Sequence, residues 1–211
     1  MWLVLWMACS GGRVSGEIDG ATIDIDDAVL VQRPDAAGGQ DVLRVFLGGT
    51  DGDLCAQWTE LESQLAALDS AAEADALAAW WAETLPSTFW QVDLQLRVDD
   101  LDATLTDARF DGSDWPFFLL GDDEAAATFV EVRQPLDAAW FAGDVPLGDL
   151  DDYLTTYTSD GGSLEIRHHT PGEHLRGTFA TRVVALDGRE AGEVELTFSA
   201  YRCASVEPFL D

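Results

Sequence analysis

Leu164–Phe198 reads LEIRHHTPGEHLRGTFATRVVALDGREAGEVELTF, and its two turn signals decide the fold. Pro171-Gly172 and Asp187-Gly188 are turn formers flanked by alternating apolar residues, the pattern of β-hairpins. With Asp187-Gly188 as a two-residue turn, Phe179 falls opposite Leu196, Thr181 opposite Val194, Gly177 opposite Phe198 and Arg182 opposite Glu193. With Pro171-Gly172 as the second turn, Leu164 falls opposite Phe179 and Ile166 opposite Gly177. A slip of one residue would move every apolar side chain to the other face. Two independently chosen turns yield one apolar face, so a three-stranded antiparallel meander is expected at the carboxyl end.

Upstream, the same alternation recurs. Phe89–Val98 places Trp90, Val92, Leu94, Leu96 and Val98 on one face, and Asp41–Leu47 does the same with Leu43, Val45 and Leu47. Glu17–Arg33 is read as mainly extended, Ile23 and Ile25 alternating with polar residues and Asp27 breaking the pattern. Shorter strands are expected near 103–110 and 127–133, and a short helix at 147–154. Between the early strands the period changes. Leu54, Trp58, Leu61, Leu65 and Leu68 form one helical stripe. Ser70 and Glu73 form a capping box for a second helix that carries Leu77, Trp80 and Trp81 and ends before Pro86. The tryptophans are read as core packing. The expected fold class is α+β: an antiparallel β-sandwich or barrel-like sheet with an inserted αα-hairpin at about 51–85. Residues 16–211 are read as a single globular domain.

Charge restricts function. Forty Asp and Glu stand against eleven Arg with no Lys, a formal charge of −29. Such a surface repels phosphate backbones and the anionic membrane leaflet alike, which argues against nucleic acid as a partner and against polybasic-type lipid binding. Without Lys there is no phosphate-loop lysine and no Schiff-base amine. The acidity fits solubility or salt adaptation, or binding of calcium by oxygen ligands. The Asp groups that could supply these are Asp24, Asp26 and Asp27, Asp51 and Asp53, Asp107, Asp111 and Asp114, and Asp149, Asp151 and Asp152, none at EF-hand spacing.

Met1–Ala8 is apolar and precedes Cys9-Ser10-Gly11-Gly12. Trp6-Met7-Ala8-Cys9 resembles a bacterial lipobox, which implies a signal-peptide-like segment at 1–8, a lipidated Cys9 and a flexible tether over 9–15. The competing reading makes Met1–Met7 a buried first strand. With Cys9 acylated, Cys55 and Cys203 remain, and in an oxidising exported compartment an even pair forms a disulfide. The rival is a nucleophilic Cys55 paired with a histidine. Strict alternation puts Cys203 on the opposite face from Phe198. Leu175-Arg176-Gly177-Thr178-Phe179, followed by Glu195-Leu196-Thr197-Phe198-Ser199-Ala200-Tyr201-Arg202-Cys203, resembles the ending of a family of exported lipoproteins from myxobacteria-like bacteria. The resemblance implies a place in the cell envelope and brings no activity with it.

All three histidines, His168, His169 and His174, lie within seven residues, with Arg167, Arg176 and Arg182 close by. The two-residue turn at Pro171-Gly172 sets His169 across from His174 and Arg167 across from Arg176. Like charges opposed across a ladder need a counter-ion. Three readings of the patch compete: Asp or Glu packed over it as counter-charge, a bound anion gripped by Arg167, His169, His174 and Arg176, or a zinc-type metal on neutral His169 and His174 with Glu173. There is no G-x-S-x-G elbow, no H-E-x-x-H helix and no glycine-rich phosphate loop. The expected function is therefore a non-catalytic cell-envelope lipoprotein, a binding or structural module for an envelope protein or small ligand. It would be held at the membrane through its lipid anchor and need no cofactor. The alternative is a metal- or anion-dependent hydrolase working at His168, His169 and His174.

Overall fold

The structure, a computed structural model, describes residues 11–33, 41–50, 52–65, 73–113, 124–146 and 149–204. Cys9, Asp51, Leu68, Ser70 and Asp114 lie outside them. The chain is mostly β. Ten strands form one mixed sheet: β1 Gly11–Ile18, β2 Ala21–Thr22, β3 Asp27–Arg33, β4 Asp41–Gly48, β5 Phe89–Val98, β6 Arg109–Gly112, β7 Glu124–Val132, β8 Leu154–Thr170, β9 His174–Ala185 and β10 Glu190–Arg202. The helices are α1 Leu54–Leu65, α2 Glu73–Thr84, α3 Ala138–Ala142 and α4 Leu150–Tyr153. None of them is long and apolar enough to cross a membrane.

The strand expectations at 41–47, 89–98 and 127–133 correspond to β4, β5 and β7, and the helical hairpin to α1 and α2. Three other expectations are corrected. The strand near 103–110 begins at Arg109, because Leu101–Ala108 is taken up by turns, with Ala103 and Ala108 donating to Asp100 and Leu105 carbonyls. Gly11–Ser15, assigned to a tether, form the first part of β1, paired with β10 from Ser199 to Glu195. The sheet is mixed, not purely antiparallel: β10 runs parallel to β3 at Tyr201–Val29 and Arg202–Leu30, and β6 parallel to β7.

The ladder closes on itself. β10 bonds β9 along one edge and β1, then β3, along the other, and β3, β4, β5, β7, β8 and β9 complete the ring. Leu43, Val45, Leu47, Val92, Leu94, Leu96, Leu164, Phe179, Leu196 and Phe198 all point inward to one buried cluster. Every pairing expected for Phe179, Thr181, Gly177 and Arg182 with β10, and for Leu164 and Ile166 with β9, is present. Gly177 is required by close approach: a Cβ there would lie 2.6 Å from the Glu165 carbonyl oxygen and 2.9 Å from Phe198 Cζ.

The turns differ from the expectation. The chain reverses over three residues, Leu186–Gly188, with Ala185 N–H donating to the Arg189 carbonyl, and a bulge before Gly192 restores the register. The other hairpin reverses over Pro171–Glu173, with Gly172 at φ 74° and Glu173 N–H donating to the Thr170 carbonyl, and a bulge at Arg167 restores it. Each hairpin thus compensates a one-residue error, and only the rungs between turn and bulge are displaced.

Outside the ring, α1 packs over Val29, Val31 and Phe46 through Leu54 and Trp58. Two devices hold it there. The buried Asp27 carboxylate accepts from Ala28 N–H at 2.7 Å and from Leu54 N–H at 2.8 Å, capping α1 from a strand, while Asp53 accepts from Ala56 N–H at 2.8 Å. The Cys55–Cys203 disulfide, with Cα atoms 5.6 Å apart, ties α1 to the end of β10. The outward position of Cys203 therefore favours the bridge, since its partner sits on a helix outside the sheet. Replacing both cysteines by Ser is expected to lower unfolding free energy by about 4–5 kcal/mol in the chain-entropy account of a closed loop this long. Denaturant melts of oxidised wild type and the double variant measure it, and equal midpoints would refute the role.

Candidate functional site

The bulge at Arg167 rearranges the histidine patch. His168 stands opposite Arg176, His169 opposite Leu175, and Thr170 opposite His174. The expected His169–His174 and Arg167–Arg176 oppositions are absent, because the extra residue exchanges the faces of the two adjacent histidines. His169 turns inward and is 4% exposed, while His168 is exposed on the outer face. His169, His174 and Glu173 are accordingly not gathered into a metal site. Among the described residues no three His, Cys, Asp or Glu side chains converge on a possible metal position.

His169 is held as a neutral ring. Its Nδ1 accepts from Leu105 N–H at 3.2 Å, and Thr106 Oγ1 accepts from the His169 backbone N–H at 3.0 Å. Nε2 therefore carries the proton, and it is buried without a hydrogen bond of normal geometry. Burial lowers the His169 pKa, opposed by a smaller pull from the Ala103 backbone and reinforced by His168. On the outer face, the His174 ring stacks on Tyr201 at 4.3 Å, and its Nε2 lies 2.9 Å from Ser199 Oγ. His168 lies 5.5 Å from His174 ring to ring and 3.2 Å from Thr170 Oγ1 through Nε2. Burial also lowers the His174 pKa, with His168, Arg176 and His169 adding to it. Neither Arg167 nor Arg176 makes an ion pair with a described residue, so the expected cover of carboxylates is not present among them. Arg182 does pair, with Asp160 at 2.8 Å.

The second cluster lies between the helical hairpin and the outer side of β4 and β5. Thr50, Gln57, Trp58, Trp80, Trp81 and Phe89 are among the residues lining a narrow cleft with about 40 Å3 of space inside it. Trp81 sits 5.7 Å from Phe89, 5.8 Å from Phe141 and 6.4 Å from Trp80, ring to ring. These tryptophans thus form a satellite cluster outside the ring, where the sequence suggested ordinary core. Seven side chains among the described residues hold a buried polar atom with no hydrogen-bond partner, and four of them line this cleft: Thr50 Oγ1, Gln57 Oε1, Trp80 Nε1 and Trp81 Nε1. Such atoms are rare because each forfeits its hydration. Four around one apolar cleft mark it as the place where polar contacts are missing. The sequence signal was Gln57 and Thr50 beside an otherwise apolar helical face.

A third cluster is internally complete. Asp19 accepts from Tyr157 Oη at 3.1 Å and from Arg189 Nη2 at 2.8 Å. Arg189 holds the Asp19 pKa low, and burial with Asp19 raises that of Tyr157. The network locks the β9–β10 turn against the end of β1 and leaves no group free for a ligand.

Compared with known proteins, the chain matches no family model, no curated protein and no solved structure.

The His169 geometry sets a pH dependence. A histidine whose folded pKa lies below its unfolded value of about 6.5 binds its proton more readily when unfolded, so its stabilisation is present above that pH and lost as pH falls. His169→Asn keeps an acceptor for Leu105 N–H and removes the titration. Wild type is expected to lose more thermal stability than His169→Asn between neutral pH and the folded pKa. Parallel melting-temperature changes in the two proteins would contradict this.

Proposed function

We propose that the chain is a non-catalytic binding module of a bacterial cell envelope, anchored by a lipid on Cys9 and binding a small neutral ligand in the tryptophan cleft. The observation that carries the binding reading is the concentration of partnerless Thr50, Gln57, Trp80 and Trp81 polar atoms around one aromatic cleft. Indole N–H groups only donate, Gln57 Oε1 only accepts and the Thr50 hydroxyl does both. A complementary ligand therefore offers at least two acceptors and one donor on a compact apolar body. The cleft lining is uncharged, so it offers no cation to grip an anion. The closed ring of strand pairs supports reading the sheet as barrel-like, with its interior filled and its binding surface outside. The disulfide supports export, since such bridges persist in oxidising compartments.

The hydrolase alternative has less to stand on. His169 is interior, and among the described residues the side chains that bond or stack on His168 and His174 are Thr170, Ser199 and Tyr201, none of them a carboxylate.

A side chain retained for a ligand costs stability without it, about 1–3 kcal/mol for an unsatisfied buried group. Thr50→Val and Gln57→Leu, which preserve shape, are expected to raise the unfolding midpoint of the unliganded protein. A lowered midpoint in both would mean that these groups are satisfied within the fold, and the cleft would lose its claim. The anchor is checked separately by mass spectrometry of the mature amino terminus from envelope fractions. The expected species begins at Cys9 with a diacylglycerol adduct, and an unprocessed Met1 removes the tether.

A further inference from the structure

We propose that the outer face around Arg167, His168, His174 and Arg176 docks on the headgroup phosphates of anionic lipid beside the Cys9 anchor. The inference rests on the anchored reading and follows from where Gly11 lies in the sheet. Gly11 pairs with Ser199, Ser199 with Arg176, and Arg176 with His168, so one rung links the start of the described chain to the basic patch. The next rung outward is Tyr201, His174 and Thr170. Cys9 stands two residues before Gly11, a leash of at most about 7 Å of extended chain. With β1 bonded to β10 from Gly11 onward, no long tether holds the domain away from the bilayer. The end of the sheet carrying these two rungs must lie against the surface.

The side chains at that end suit such a contact. Arg13, Arg167 and Arg176 are exposed and make no ion pair with a described residue. Arg44, Arg109, Arg133, Arg182 and Arg189 are each bridged to an acid. Unpaired guanidinium groups grip phosphate oxygens well. Tyr201, stacked on His174, adds the half-apolar ring favoured at headgroup depth. Opposing charges on this side are Glu173 in the turn, Glu165, which Arg109 neutralises at 2.7 Å, and exposed Glu195, one outward position along β10 from Thr197, the partner of Arg13. Screening within about 8 Å at physiological salt leaves this local basic face as what the membrane meets, while more distant carboxylates fade.

Cys9 is the one cysteine outside the Cys55–Cys203 bridge, so the oxidised chain can be coupled through it to maleimide-bearing lipid. This tethers the domain whether or not cells lipidate it. Modification of His168 by diethyl pyrocarbonate is then followed by mass spectrometry on vesicles of phosphatidylcholine alone or mixed with phosphatidylglycerol. His168 is expected to react several-fold more slowly on the anionic vesicles. The difference should vanish in Arg167→Gln/Arg176→Gln, which meets the same surface potential. Equal wild-type rates on both vesicles overturn the docking, as does a difference kept in the double variant. Protection that grows with protein density on neutral vesicles reassigns the face to a second copy of the chain. Protection by inorganic phosphate on neutral vesicles reassigns it to a free anion. Failure of the anchor reading appears elsewhere, as an unprocessed amino terminus in cells, and leaves the vesicle result to be judged separately.

Discussion

β10 carries hydrogen bonds along both of its edges, to β9 on one side and to β1 and then β3 on the other. That double duty joins β9 to β3 through β10, so that neither is left as the free edge of an open sheet. The handover from antiparallel β1 to parallel β3 takes place within a few residues. It requires β1 to lie tight against the neighbouring chain. Gly12 allows this, since a Cβ there would sit 2.8 Å from both Ile25 Cγ2 and Leu47 Cδ2. Past the handover, Cys203 N–H donates to the Leu30 carbonyl at 2.9 Å and its sulfur binds Cys55. The point that closes the ring is therefore also the point that staples α1 to its outside.

Closure decides where function can be placed. The ring interior is filled by fully buried Leu30, Leu43, Leu94, Phe129, Phe179 and Phe198, which leaves a packed core in place of a ligand chamber. Polar groups inside must be satisfied or neutral, and His169 meets that demand by giving Nδ1 to Leu105 N–H and remaining uncharged. The helical hairpin is under a different constraint. It is held at the start of α1 by Asp27 and Cys55, so the opposite side of the hairpin is free to present Gln57, Trp80 and Trp81 to a cleft. Partnerless polar atoms collect there because nothing in the ring's closure depends on them.

The strands were legible because each buried face writes itself as strict alternation, and the C-terminal register was legible because two hairpins had to agree. Turn length was not. A Gly at positive φ serves a two-residue turn or a three-residue one, where Gly172 takes the middle position and Gly188 the last. The ensuing bulges left Phe179 and Leu196 correctly paired while inverting His168 and His169, so the error fell wholly on the candidate site. The Cys55–Cys203 pairing was legible by elimination, but its place outside the sheet was not, because a helix packed over Val29 and Val31 leaves no mark on the parity of β10. The cleft was illegible for a related reason: tryptophans at helical spacing look the same whether they pack inside a core or beside one.

The distribution of the eleven arginines carries the argument about charge one step further. Were they present only to offset the acids, each would be expected beside a carboxylate, given forty to choose from. Five are so placed among the described residues; Arg97 on β5 is not, and neither are Arg13, Arg167 and Arg176, which share one outer face. Holding an unpaired basic face in such a chain requires keeping acids out of it, which is specificity by exclusion. The rest of the surface then works in the same direction. If this face docks as proposed, any orientation that turns it away from an anionic layer turns carboxylates towards that layer, so repulsion from the domain's own acids would favour the same orientation as the basic face.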